Sequence, residues 1–205
     1  MDFEKLISER YSVRNFEPRH LSQEAIDKIL SASHKAPTGC NYQPQRILVL
    51  NTDESIAKLK ACTKCHFNAP TAMLICHNKE ESWKRVYDGA MSSPVDAVIV
   101  STYIVLAAQN IGVGSCIVMH FDPNAMRKEF SIPENIEPSL LLVMGYPSDD
   151  SEPLDMHYKN RPLDEVVFYD SFKNKKDSTE KSVLFFLLSD YFFFEPSSEI
   201  IFIKL

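Results

Sequence analysis

The sequence predicts an α+β fold around a mixed or antiparallel sheet. Short runs of branched apolar residues, RILVLN at 46–51, TAMLICH at 71–77, SCIVM at 115–119 and SLLLVM at 139–144, have the length and composition of strands. Segments with apolar residues at helical spacing are interspersed among them. The longest apolar segment, 94–110, opens on Pro94 and stops before Gly112, which marks it as the central helix of the core.

In chain order, Phe3, Leu6 and Ile7 give the first ten residues helical spacing, and Ile26, Ile29 and Leu30 repeat it between Leu21 and Ala36, with Ser22 as N-cap. Between these helices RYSVRNFEPRHLS reads as a polar connection that ends before Pro18. APTGCNYQPQ after the second helix has the two prolines and the glycine of an ordered loop, and it leads into 46–51, read as a buried strand. Asp53 to Lys60 predicts a short helix and Thr71 to His77 the next strand. Pro123 to Phe130 predicts a helix with Met126 and Phe130 on one face, and it divides the last two strands.

A chain of 205 residues, 44% hydrophobic, supports one core. Its 28 acidic residues outnumber 22 basic ones, so no global basic field exists for nucleic acid or anionic lipid, although one phosphate still fits a local cationic pocket. The first residues carry charges and no apolar run of leader length, and the five cysteines are odd in number; both lead to the expectation of a cytoplasmic protein with reduced thiols. Residues 94–110 are too short, and too interrupted by Asp96, Ser101, Thr102 and Gln109, to predict a membrane span. After Phe172, a charged linker leads to a Phe-rich segment at 183–205, expected to pack on the domain or on a partner subunit.

Three short stretches have the chemistry of a binding site. Arg10-Tyr11-Ser12-Val13-Arg14 places two guanidiniums and a hydroxyl where they can converge on one phosphate, although two arginines four apart are more often a solvated face. Pro37-Thr38-Gly39-Cys40-Asn41-Tyr42-Gln43-Pro44 offers two side-chain amides, Asn41 and Gln43. Each both donates and accepts, as the edge of a planar heterocycle requires; the alternative is a polar turn. Lys159-Asn160-Arg161 places two basic residues on one side of an extended segment, either joining the same phosphate or standing exposed.

Taken in order, RYSVRNF, APTGCNYQPQ, AAQNIGVGSC, GYP and KNRPLDEVV resemble the nitroreductase family of flavoenzymes from about residue 2 to Phe172. The resemblance implies a three-layer α/β/α sandwich and an interlocked homodimer with FMN at the subunit interface. It implies a domain over 1–172 and an extension over 173–205. Arg10 and Ser12 would hold the phosphate with Tyr11 between them, and Arg14 would reach the pyrimidine edge of the ring. Lys159 and Arg161 would be late phosphate ligands. Pro37, Thr38, Asn41 and Gln43 would come from the partner subunit, and the backbone of Val118, Met119 and His120 would face the flavin edge. NADH or NADPH would be the reductant and a nitroaromatic, quinone or conjugated alkene the acceptor. Met119-His120 departs from the Glu-Gly of many relatives, and the tryptophan common after the Gln-Pro pair is missing, so acceptor preference is the property these departures affect. Catalysis would then be flavin-mediated, with no dedicated acid or base; Tyr11, His120 and Tyr146 are candidate proton donors.

Other readings compete. Cys62-Thr63-Lys64-Cys65-His66 has the spacing of covalent haem attachment and, with Cys76 and His77, the ligand types of a zinc site. A redox dithiol at Cys62 and Cys65 and incidental small thiols are further alternatives. A flavin-binding or sensory protein without turnover is the non-enzymatic one.

Overall fold

The computed structural model describes residues 2–172. Four strands form one sheet: β1 (Gln45–Leu50), β2 (Thr71–Asn78), β3 (Gly114–Val118) and β4 (Ile136–Gly145), in the order β1-β2-β4-β3. Every named pair is antiparallel, and a single parallel bridge, Ser12 to Ser115, adds the N-terminal segment beside β3.

Alternation along the two central strands divides the interior into two cores. Met73 and Ile75 of β2 with Leu140, Leu142 and Met144 of β4 face one side, where α2 (Gln23–Ser33) and α4 (Ser93–Asn110) cover them. Ala72, Leu74 and Cys76 with Leu141 and Val143 face the other, against α3 (Asp53–Cys62) and α5 (Pro123–Phe130). Because side chains point to opposite faces at each step, a strand covered on both sides reads as an unbroken apolar run. The result is the expected three-layer sandwich.

Local sequence sets the helix ends. Ser22 accepts from Ala25 N–H at the start of α2, and Thr52 and Ser55 form a reciprocal capping box on α3. Asp122 caps α5 ahead of Pro123, and α5 turns Met126 fully inward while Phe130 packs on the same core. At the end of α4, Val113 N–H donates to Ala108 O (2.9 Å) and Gly112 N–H to Gln109 O (3.1 Å), a Schellman closure. α4 buries Ala97, Val100, Ile104, Val105 and Ala108 against the sheet.

Two expectations change. The strand at 46–51 is an edge strand: Arg46 is exposed, Ile47, Leu48 and Val49 are half-buried and only Leu50 is fully buried, because among the described residues β1 has a neighbour on one side alone. The connection after α1 (Phe3–Glu9) is not simply polar. Val13 and Phe16 are buried in the second core, and isolated bridges to Ser115 and Pro147 hold the segment.

The chain divides into two compact units, the first ending at Tyr158 and the second beginning at Lys159. In the second, α6 (Leu163–Val166) is one short turn, all described residues are exposed, and the Phe168 and Phe172 rings lie 5.2 Å apart. No helix among the described residues is long and apolar enough to cross a membrane. The Phe-rich segment at 183–205 lies outside them.

Candidate functional site

The N-terminal segment reaches its place because β3 begins with glycine. A Cβ on Gly114 would stand 2.7 Å from Val13 Cγ2, so only a bare backbone lets Val13 pack there and donate its N–H to Ser115 O at 3.0 Å. With Val13 turned inward, the two-residue period of extended chain puts Arg10, Ser12 and Arg14 on the other side. Arg10 and Ser12 are half-buried and Arg14 is exposed. Arg14 donates to Ser12 O (3.0 Å) and stacks over Phe67, 5.8 Å from the ring centroid.

The Cys116 thiol on β3 feels all three groups electrostatically. Burial pushes that thiol up, while Arg14, a hydrogen bond from Ser12 and Arg10 pull the other way. Among the described residues no carboxylate pairs with Arg10 or Arg14. Two uncompensated guanidiniums beside a hydroxyl are an anion site by their donor chemistry. Next to them lies a cavity of about 630 Å³ lined by Arg14, Asn15 and residues 150–156. Tyr11 Oη, which donates to Ser151 O (3.0 Å), and Asn15, which donates to Asp150 (2.8 Å), anchor that loop.

β3 carries the second expected group as well. The strand ends at Val118, which is buried, and Met119 (69% exposed) and His120 follow it into solvent. Thr63 donates to His120 O, and Asp122 N–H donates to Cys62 O at 2.9 Å, so the end of α3 fixes this backbone.

The third group lies elsewhere. Residues 37–43 precede β1, at the opposite edge of the sheet from β3, three strand spacings or roughly 14 Å away. One protomer therefore does not bring Asn41 to Arg10. The loop is strained: Cys40, Asn41 and Gln43 hold left-handed φ of 47°, 58° and 50°, at about 1–3 kcal/mol each. It is held by Thr38 Oγ1, which accepts from Gln43 N–H (3.1 Å), and by Asp96 of α4, which accepts from Gly39 N–H (2.8 Å). Pro37, Asn41 and Gln43 are exposed, and the Asn41 and Gln43 side-chain amides make no hydrogen bond among the described residues.

Lys159 and Arg161 belong to the second unit, both exposed, with Arg161 3.5 Å from Glu165. Of the candidate proton donors, Tyr11 spends its hydroxyl on Ser151, Tyr146 lies under Arg19 (3.8 Å), and His120 is exposed.

The cysteine readings fare differently. All five cysteines are free. Cys62 and Cys76 are buried in the second core with Cys65 packed against it. Burial pushes the Cys76 thiol up to about 12, against the thiolate a metal needs. His77, next to Cys76 on β2, points to the opposite face, where its Nδ1 meets Ser139 Oγ at 2.7 Å. No group of three or more metal-ligating side chains occurs among the described residues. Sequence reading missed Cys116, Gly114, Phe67 and Asp96; Asp96 had a signal, a lone acid inside an apolar helix.

The nitroreductase family model matches residues 7–91 and 62–146. A solved nitroreductase family protein from Clostridium difficile 630 is 39% identical, superposes with a TM-score of 0.79, and covers 84% of this chain and 100% of its own. A curated protein of Archaeoglobus fulgidus, provisionally named an NADH dehydrogenase/NAD(P)H nitroreductase, is 32% identical over 155 residues, 72% of this chain and 87% of its own. The solved FMN-dependent nitroreductase of Clostridium difficile R20291 shares the fold at a TM-score of 0.68 and 23% identity, covering 83% of this chain and 100% of its own. Matched along most of its length in sequence and in fold, the chain belongs to the nitroreductase family.

Proposed function

We propose that the protein is an FMN-dependent oxidoreductase that takes hydride from NADH or NADPH and passes it to a small electrophilic acceptor. The observation that carries this reading is the cluster of Arg10, Ser12 and Arg14 on the N-terminal segment beside β3, cationic and without a carboxylate partner among the described residues. It fits a phosphate monoester and an electron-rich ring edge. The nearby cavity also holds Asp150, Glu152 and Asp155, so a phosphate sits on the Arg10 side of Arg14 and not among those carboxylates. Family membership and relatives named for NAD(P)H and FMN support the same reading.

When bound, FMN supplies the chemistry of accepting hydride from a nicotinamide and yielding it to an acceptor. Arg10 and Ser12 hold the phosphate. Arg14 and the backbone after Val118 place positive charge and donors where negative charge collects at the pyrimidine edge. No side chain of the cluster serves as acid or base. Nicotinamide and acceptor use the same open face in turn, a ping-pong order. Nitroaromatics, quinones and conjugated alkenes are the acceptor classes.

The active protein is a homodimer. Residues 37–43 stand at the far edge of the sheet from Arg10, so Asn41 and Gln43 reach flavin in a partner subunit. The surface for that partner is apolar: α4 exposes Val95, Val98 and Tyr103, and α1 exposes Phe3 and Ile7. Residues 1–172 form the FMN domain and 173–205 an extension. Purified protein should bind FMN and give parallel double-reciprocal plots with NADPH and a quinone. Flavin that binds but is never reduced would make the chain a binding module; failure to bind FMN would end the reading.

A further inference from the structure

Asp96 is a carboxyl buried to 2% exposure in the first turn of α4, where the helix dipole favours an acid. It has two partners, and each belongs to a different segment. Oδ1 accepts from the backbone N–H of Gly39 at 2.8 Å, and Oδ2 accepts from Ser92 Oγ at 2.8 Å. Ser92 closes the hairpin that runs from Trp83, its N–H donating to Trp83 O at 2.9 Å. Gly39 lies so close to that base that a Cβ there would meet Ser92 Oγ at 2.7 Å and Ser92 Cβ at 2.9 Å. One buried side chain thus joins loop 37–43, the hairpin and the helix.

The bond to Gly39 is made within two residues of the strained stretch. Left-handed backbone at Cys40, Asn41 and Gln43 persists only where surrounding contacts impose it, and such strain gathers at functional sites. Asp96 and Thr38 Oγ1 are side chains that hold it here, beside the backbone bonds Asn41 N–H to Thr38 O and Tyr42 N–H to Gly39 O, both 3.0 Å. A helix acid placed only for its dipole would face solvent and would need neither Gly39 nor Ser92.

We propose that Asp96 is a positioning residue: by clamping Gly39 to Ser92 it fixes the conformation in which Asn41 and Gln43 meet the flavin bound to the partner subunit. The proposal rests on the function assigned above. Two properties follow from one bond. In flavin-free protein the clamp protects the loop's backbone N–H groups from exchange, and in the holoenzyme it lowers the FMN dissociation constant and the KM for the acceptor.

The test compares Asp96→Ala, Asp96→Asn and Ser92→Ala with the natural protein. Asparagine keeps an acceptor for Gly39 N–H and offers Ser92 a donor in exchange, so Asp96→Asn should stay within about threefold of the natural protein in FMN affinity. Asp96→Ala should speed hydrogen exchange at Gly39 to Gln43 and raise the FMN dissociation constant by about tenfold or more, the loss expected for a charge-assisted bond. Ser92→Ala, which removes one bond of the two, should fall between, and it carries the test if Asp96→Ala does not fold. A folded Asp96→Ala protein with unchanged exchange in the loop and unchanged FMN affinity would overturn the proposal. So would an asparagine variant as damaged as the alanine one. If the natural protein binds no FMN, the assigned function fails, and the exchange experiment still decides whether the clamp exists.

Discussion

Arg10 shows how a single residue gains a role from its surroundings. Arg10 is half-buried, its charge bears on the Cys116 thiol with Arg14 and Ser12, and it has no carboxylate partner among the described residues. A fork-shaped donor left uncompensated at that depth costs solvation until an anion supplies the missing charge. Arg10→Ala should therefore raise the FMN dissociation constant by about ten- to a hundredfold, the worth of roughly 1.5–3 kcal/mol in charge-assisted bonds. Fluorescence titration with FMN measures it. Arg10→Lys should recover part of the loss, since lysine keeps the charge without the planar fork.

At the scale of elements, the site depends on β3. The N-terminal segment rests on β3 through the close approach of Val13 to Gly114. Gly114→Ala should push Val13 away and carry Arg10, Ser12 and Arg14 with it. A melting temperature lowered in line with about 1–3 kcal/mol of overpacking, together with weaker FMN binding, is the expected pair of results. Strand β2 carries a pH response. Burial, then Lys79, holds the His77 pKa below its ordinary value, opposed by Glu137 and Asp96. A depressed histidine stabilises the fold above its unfolded pKa of about 6.5, and that contribution is lost as the pH falls, because the unfolded chain takes up the proton first. The melting temperature should drop from pH 7 toward pH 5.5, and His77→Asn should flatten the drop. His66, also held down by burial, leaves a residual slope. Lowered carboxyls such as Glu24 act only at more acid pH.

These same elements show what a sequence discloses. Ser22, Thr52, Pro123 and Gly112 mark helix ends by local chemistry, and β2 and β4 announce themselves because burial on both faces leaves no polar break. Val13 and Phe16 escaped notice because an isolated bridge has no period to read. The burial of β1 was misread because an apolar run does not say whether a neighbour lies on its second edge. Candidate site residues were picked by donor type, and the resemblance already assigned residues 37–43 to a partner subunit; their distribution over two sheet edges, with 37–43 before the far edge strand, was not legible, since it depends on strand order.

That distribution is the property of the whole molecule that matters most. Arg10 lies beside β3 and Asn41 precedes β1, at opposite edges of one sheet, and on the proposed function two copies of the chain would be needed to close one site around a flavin. The exposed apolar stripe of α4, with Val95, Val98 and Tyr103, is the surface proposed for the second copy. Val98→Lys, at a position 54% exposed in the single chain, should bury a charge in the dimer and weaken it by at least about 2 kcal/mol. Light scattering across a dilution series would show more monomer, with FMN released in parallel. A variant that stays dimeric would place the interface elsewhere. The most direct test of the central claim is an anaerobic titration of the purified, FMN-loaded protein with NADPH and NADH. The account predicts that the visible flavin absorption bleaches with one of them and returns when a quinone or nitroaromatic is added. A protein that takes up no FMN, or whose flavin stays oxidised with both nicotinamides, would contradict it.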